Sequence, residues 1–171
     1  MERAKKQSTR NAILHSGKRL YEENGLNEIK VSDIAKNAGV ARATFFTHFR
    51  HLEDLYHAIG EEEVKHIFEY HDAKGGETSK EKLLLFFETL ADEALYAKAL
   101  FHKVIFQDYC SEAPLQKVRG KIAQYIQSTQ ADLLLGGFYA LIYISCIDDK
   151  NVIIKEMEII IDKVSECIIE L

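Results

Sequence analysis

Residues 31–49, VSDIAKNAGVARATFFTHF, constrain the fold more than any other stretch of this chain. Two short segments, with small or apolar residues at Ile34, Ala35, Ala38, Val40 and Phe45, flank a single glycine, Gly39. Helices this short are marginal in water by themselves, so the pair persists only by packing on longer helices to either side. The second segment also sets Arg42, Thr44, Thr47 and His48 among Phe45, Phe46 and Phe49. That mixture is too polar for a core helix and too aromatic for a solvated one, which leaves a helix that buries one face and offers the other to a partner.

Periodicity supplies the longer helices. Ile13, Gly17, Leu20 and Tyr21 mark one face of a first helix from about Ser8 to Asn24. Ser8 or Thr9 is placed to cap it, and Gly25 to end it in the left-handed conformation. Ser32 and Asp33 open a second helix that stops at Gly39, and a third runs from about Ala41 to His48. A longer helix followed by two short ones about a glycine turn is a helix-turn-helix arrangement. A fourth helix is expected from about Leu52 to Tyr70, then a polar loop, DAKGGETS (72–79), and a helix from Glu81. LFHKVIFQDY continues the helical pattern to a break at SEAP, with Pro114 at a first-turn position of an amphipathic segment, 115–128. Residues 131–147 are apolar nearly all round. The segment 152–171 carries Ile153, Met157, Ile160, Ile161, Val164 and Ile168 on one stripe, with Val152, Ile154, Ile159 and Ile169 outside it. With one Pro and nine Gly in 171 residues, a turn-rich β fold is disfavoured. The fold class expected is all-α: a helix-turn-helix domain at 1–51 joined to a helical regulatory and dimerisation domain at 52–171.

The charge is divided along the same line. The net charge of −5 hides ten Lys and Arg against five acids in residues 1–51, a net of +5, and 12 against 22 in the remainder, a net of −10. A basic head on an acidic body suits a polyanion-binding module attached to a soluble domain. The uncharged run LLLGGFYALIYISCI, 133–147, spans roughly 22 Å as a helix, short of a hydrocarbon core of about 30 Å, so a buried helix and no membrane span is expected. Cys110, Cys146 and Cys167 are odd in number and form no C-x-x-C pattern, which reads as reduced thiols. With no apolar stretch after the basic N-terminus, the expected location is cytoplasmic.

In this order the parts resemble the TetR family of bacterial transcriptional repressors. NAILHSGKRLYEENG, VSDIAKNAGV, ARATFFTHF and RHLEDL carry the likeness, which is best over residues 10–55. The family's D-I-A step, A-G-V turn, T-x-x-x-x-F and E-D-L are met at Asp33, Ile34, Ala35, Ala38, Gly39, Val40, Thr44, Phe49, Glu53, Asp54 and Leu55. The resemblance implies a repressor released from its operator by a small molecule, or else a DNA-binding protein without such an effector that acts through architecture or a protein partner. It also implies a homodimer built from the last two helices. Four positions depart from the family habit: Lys30 stands in place of Thr, Phe46 in place of Tyr, Leu52 in place of Lys and Gly17 in place of Ala. Ser32 or Lys30 is expected to replace the missing cap and phosphate contact. Gly17 in place of Ala costs about 1 kcal/mol of helix propensity.

The residues expected to meet a palindromic DNA operator are Lys30, Ser32, Ala41, Arg42, Ala43, Thr44, Phe46, Thr47, His48, Arg50 and His51. Arg42 is placed for a guanine edge and Thr44 for a phosphate. Aromatic and aliphatic residues at helical spacing, Phe68, Phe86, Phe87, Leu90, Tyr96, Phe101, Ile105, Phe106, Tyr109, Tyr125 and Phe138, are the candidates for an effector pocket, with plain core as the alternative. The expected dimer face is Leu134, Phe138, Leu141, Ile153, Met157, Ile160, Ile161, Val164 and Ile168, because helices apolar beyond one stripe need cover on more than one side. His66 and His71, five apart among Glu62, Glu63 and Glu69, do not share a helix face, and read as part of a solvated charged helix rather than a metal site. No phosphate loop, nucleophile elbow or spaced Cys/His cluster is present, so neither an enzyme nor a cofactor is expected.

Overall fold

The computed structural model describes residues 2–25, 29–106 and 114–166, with side chains from residue 4 onward. Among the described residues every regular element is helical. Helix α1 runs Glu2–Asn24, α2 Val31–Asn37 and α3 Arg42–His48. Helix α4 runs Leu52–Lys74 and α5 Ser79–Tyr96. Helix α6, Lys98–Phe101, continues into a π turn, His102–Phe106. Helix α7 is Pro114–Ile122, α8 is Ser128–Tyr139 extended by a π turn at Ala140–Ile144, and α9 is Lys150–Glu166.

Gly25 and Gly39 close helices where the pattern placed them, both with φ of +68°, and Gly75, expected within the following loop, closes α4 with φ of +70°. The starts differ from expectation. Helix α1 begins at Glu2, six residues before Ser8, because the intervening residues are good helix formers. The Thr9 hydroxyl donates to the Lys5 carbonyl inside the helix at 3.0 Å, so neither Ser8 nor Thr9 is its cap. Ser32 does not cap α2 either. Lys30 holds the capping position with an extended backbone, and its N–H donates to Asp33 Oδ2 at 3.2 Å. Helix α4 continues four residues past Tyr70, and α5 opens on a reciprocal Thr78–Glu81 capping box. The amphipathic segment expected over 115–128 stops at Ile122, and a turn leads into α8.

Helix α1 packs on α2 and α4. Helix α4 reaches into the body against α5, α7 and the π turn of α6, while α9 lies across α5 and α8. One apolar core runs through the whole, from Ile13, Ile34, Phe45 and Leu55 by way of Ile59 and Ile67 to Phe86, Phe87, Phe138, Ile153 and Met157. Gly17 has a packing reason for its place in α1: a Cβ there would lie 2.7 Å from Leu55 Cδ2, so the glycine lets α4 approach. Gly60 does the same further along α4, where a Cβ would meet the Val104 carbonyl oxygen at 2.7 Å and Pro114 Cγ at 2.8 Å. Between head and body, Lys18 Nζ pairs with the buried Glu63 carboxylate at 2.6 Å, and the Tyr21 and Tyr56 rings lie 4.8 Å apart. Lys80 reaches Glu158 and Asp162, and Lys150 reaches Glu88 and Asp92, pinning α5 to α9 at both ends.

Candidate nucleic-acid interface

The α2–α3 unit is held from behind. Ser16 of α1 donates its hydroxyl to the Ile34 carbonyl at 2.9 Å, and Arg19 bonds Asn37. Across the turn, the Val40 N–H donates to the Ala35 carbonyl at 2.9 Å, which fixes the angle between the two short helices. Phe45 and Phe49 are buried, their rings 5.7 Å apart, and these anchors set the rotation of α3.

What α3 then presents outward follows from the 3.6-residue period. Ala41, Arg42, Ala43, Phe46 and Thr47 are exposed, while Thr44 and His48 are half-buried at the edges. Phe46 is 43% exposed, with the Arg42 guanidinium 5.7 Å from its ring centroid. That cation–π contact holds a long side chain that would otherwise be free in water. The Thr47 hydroxyl donates to the Thr44 carbonyl at 2.7 Å, which leaves its lone pairs and methyl outward. Lys30 and Ser32 are exposed at the start of α2, and Arg50 and His51 are exposed between α3 and α4. All eleven residues lie on α2, α3 or their flanks. His51 also starts α4, its N–H donating to Asp54 Oδ2 at 3.0 Å.

The longer α1 adds two residues absent from that set. Arg10 stacks over the Phe49 ring at 5.0 Å, and Lys6 and Arg10 both act on His48. Burial first, then these two cations, hold the His48 imidazole below its usual pKa. The i, i+4 spacing of Lys6 and Arg10 was the available signal, hidden by starting the helix too late. No unpaired carboxylate interrupts the exposed face of α3, and a helix end of this sign and shape fits phosphates and base edges.

The body residues separate differently. Phe86, Phe87, Leu90, Phe101, Ile105 and Phe138 are 4% exposed or less and belong to the core, with Phe87 against Phe138 at 5.4 Å. Tyr96 is 73% exposed at the end of α5. Tyr125 packs against His71, whereas Phe68 packs on Phe86 and lines an open, mostly charged cleft of about 530 Å³ with Glu61, Lys65, Glu69, Asp72 and Lys117. Tyr109 lies outside the described residues. Phe106 lines a second open cleft, of about 510 Å³, with His102, Leu115, Gln116, Arg119, Asp132, Leu135, Gly136 and Tyr139. His71, expected in solvent, is buried: Nδ1 is 3.1 Å from Asp72 Oδ1 and Nε2 is 3.1 Å from the Lys82 carbonyl oxygen. Among the described residues no three His, Cys, Asp or Glu converge on a metal-sized site, and no helix is long and apolar enough to cross a membrane.

The expected dimer face needs correction. Leu134, Phe138, Ile153, Met157 and Ile161 are at most 1% exposed within one chain, because the main stripes of α8 and α9 pack on each other and on α5. Leu141, Ile160 and Val164 are half-buried, and Ile168 lies outside the described residues. The apolar residues left outward on this side are Leu133 at 52%, Ile144 at 72%, Val152 at 42% and Ile159 at 42%.

Residues 13–59 match the sequence signature described as "Bacterial regulatory proteins, tetR family". The chain is 36% identical over 75 residues to the fatty acid metabolism regulator protein of Bacillus subtilis, a stretch covering 43% of this chain and 39% of that one. It is 38% identical over 55 residues to the HTH-type transcriptional regulator AcrR of Shigella flexneri, covering 32% of this chain and 26% of the relative. The matched stretches therefore span well under half of either relative's length. In fold it is similar to Thermus thermophilus FadR, a TetR-family transcriptional repressor solved with lauroyl-CoA, with a TM-score of 0.68 and 18% identity over 95% of this chain and 97% of that one.

Proposed function

We propose that the chain, whose residues 13–59 carry the signature of the TetR family of bacterial transcriptional regulators, is a dimeric repressor of that kind whose two heads grip a palindromic operator until a small molecule releases them. The observation that carries this reading is the division of α3 into buried Phe45 and Phe49 and outward Arg42, Ala43, Phe46 and Thr47. Arg42 reads a guanine through O6 and N7, Phe46 lies against a thymine methyl or sugar, and Thr44 and the cations around it hold phosphates. Residues 1–51 act as the DNA-binding unit and 52–171 as the regulatory and dimerising one.

Two heads fit one duplex only when their spacing matches half-sites about 34–36 Å apart or a multiple of it. Helix α4 carries the head at its first turn and meets α7 and the π turn of α6 further along, so a change in the body alters that spacing through α4. An effector acts by preferring the conformation whose heads are out of register. The closed packing of Phe86, Phe87, Leu90 and Phe138 favours the other reading, a DNA-binding protein without an effector, whereas the cleft beside Phe106 supports the first. The lauroyl-CoA of the Thermus repressor has a long acyl chain, whereas among the described residues Phe87 is buried with its ring packed between those of Phe86 and Phe138.

Selection of bound fragments from random DNA with the purified protein tests the DNA reading: two inverted half-sites are expected, and no enrichment over random competitor at moderate salt defeats it. Thermal melts against a library of metabolites and drugs test the effector, because a ligand that binds the folded state raises its melting temperature.

A further inference from the structure

We propose that the cleft between the π turn of α6, helix α7 and helix α8 takes an uncharged planar aromatic molecule, and that the Arg119–Asp132 pair on its rim keeps charged molecules out. This rests on the reading of the chain as an effector-responsive regulator and names the class of effector.

Two π turns meet here, and such turns are rare in helices and concentrate at functional sites. They bring four rings together. His102 lies 5.7 Å from Tyr139 and 4.9 Å from Tyr143, and Phe106 lies 5.1 Å from Tyr139 and 5.8 Å from Tyr143, in tilted and edge-on pairs. Three polar tips of the cluster are engaged: His102 Nε2 is 3.0 Å from the Tyr139 hydroxyl, and the Tyr143 hydroxyl donates to the Lys98 carbonyl at 3.2 Å. What the cluster offers a visitor is ring surface, which favours offset and edge contacts with another ring. Leu115 and Leu135 add apolar wall, Gln116 supplies an amide, and about 510 Å³ is the size of cleft that holds a drug-sized molecule.

The charges on the lining set the class. Among the described residues it carries two, and they satisfy each other: Arg119 Nε meets Asp132 Oδ1 at 2.5 Å and Nη2 meets Oδ2 at 2.9 Å. A cation entering the cleft competes with a guanidinium already held by two parallel bonds, and an anion competes with the carboxylate in the same way. A neutral ring system disturbs neither.

The test uses the full chain, and binding is read by isothermal titration calorimetry. Three tricyclic probes of one shape are titrated: uncharged acridone, cationic N-methylacridinium and anionic acridine-9-carboxylate. Acridone is expected to bind at least tenfold more tightly than either charged probe. Arg119→Gln, which frees Asp132, is expected to move the preference to N-methylacridinium. Asp132→Asn, which frees Arg119, is expected to move it to acridine-9-carboxylate. Both residues sit at the surface, and circular dichroism checks that each variant keeps its helices. Phe106→Leu and Tyr139→Leu are expected to weaken all three probes. The proposal is overturned if acridone does not bind, if the three probes bind alike, or if neither rim variant changes the order. Because binding is read on the free protein, acridone that binds without releasing DNA contradicts the repressor reading and leaves this one standing.

Discussion

An alanine at Gly60 probes the point where the helix carrying the DNA-binding head leans on the body. Its Cβ would lie 2.7 Å from the Val104 carbonyl oxygen, 2.8 Å from Pro114 Cγ and 3.3 Å from Val104 Cβ. Heavy-atom contacts relax at about 3.5–4.0 Å, so α4 must withdraw by roughly 0.5–1 Å, and the backbone oxygen cannot rotate away. Overpacking of this kind costs about 1–3 kcal/mol. Helix propensity returns about 1 kcal/mol. Gly120 on α7 is the control, because nothing lies within 4 Å of its added Cβ. There the propensity gain stands alone. The difference between the two alanine variants is therefore the overpacking itself, about 1–3 kcal/mol, or about 2–12 °C in melting temperature for a chain of this length. Both are measured by thermal unfolding at one protein concentration, because the melting temperature of a dimer depends on concentration. Gly60→Ala as stable as Gly120→Ala would refute the close approach of α4 to α6 and α7, and with it the route from body to head.

Arg42→Ala is expected to lose about 1–3 kcal/mol of discrimination at one base position, measured by competition across single-base operator variants. An equal loss on every sequence would make Arg42 a phosphate contact. Leu133→Asp combined with Ile159→Asp is expected to give helical monomers in sedimentation, whereas Met157→Asp, placed in the core, is expected to unfold the chain. A surviving dimer in the double variant would move the interface elsewhere. Burial, and then the Glu63 carboxylate, push the Glu93 carboxyl above the usual range. The folded chain then holds that proton longer than the unfolded one, so Glu93 subtracts stability as pH rises from an unfolded value of about 4.3 through the raised folded value. Glu93→Gln is expected to raise the melting temperature at pH 8 and to lose the gain near pH 4, and no gain at pH 8 would contradict the assignment.

The helix-turn-helix was legible because its signals are local. Gly25 and Gly39 mark positive φ, Ile34 and Phe45 mark an inward face, and the charge split marks the partner. The start of α1 was missed because a cap at Ser8 looked sufficient, although residues 2–7 already favour helix. The burial of the apolar stripes of α8 and α9 within one chain was hidden for a different reason. Periodicity finds the strongest apolar stripe, and in α8 and α9 that stripe is needed by the chain's own core, so the weaker positions Leu133, Ile144, Val152 and Ile159 remain outside. The cleft was nearly invisible. Its rings come from His102 and Phe106 on one π turn and Tyr139 just before another, and a π turn shifts side chains off the 3.6-residue pattern that sequence reading relies on. The Arg119–Asp132 and Lys18–Glu63 pairs join residues 13 and 45 apart in sequence, and no local rule connects them.

The most direct measurement is the affinity of the purified protein, by fluorescence anisotropy, for a selected duplex and for the same duplex with about five base pairs inserted between the half-sites, which turns one half-site to the opposite side of the helix. Two copies per intact duplex, and a large loss of affinity on insertion, are the results expected of paired recognition helices held at fixed separation. Binding by a single copy, or indifference to the insertion, would contradict that claim.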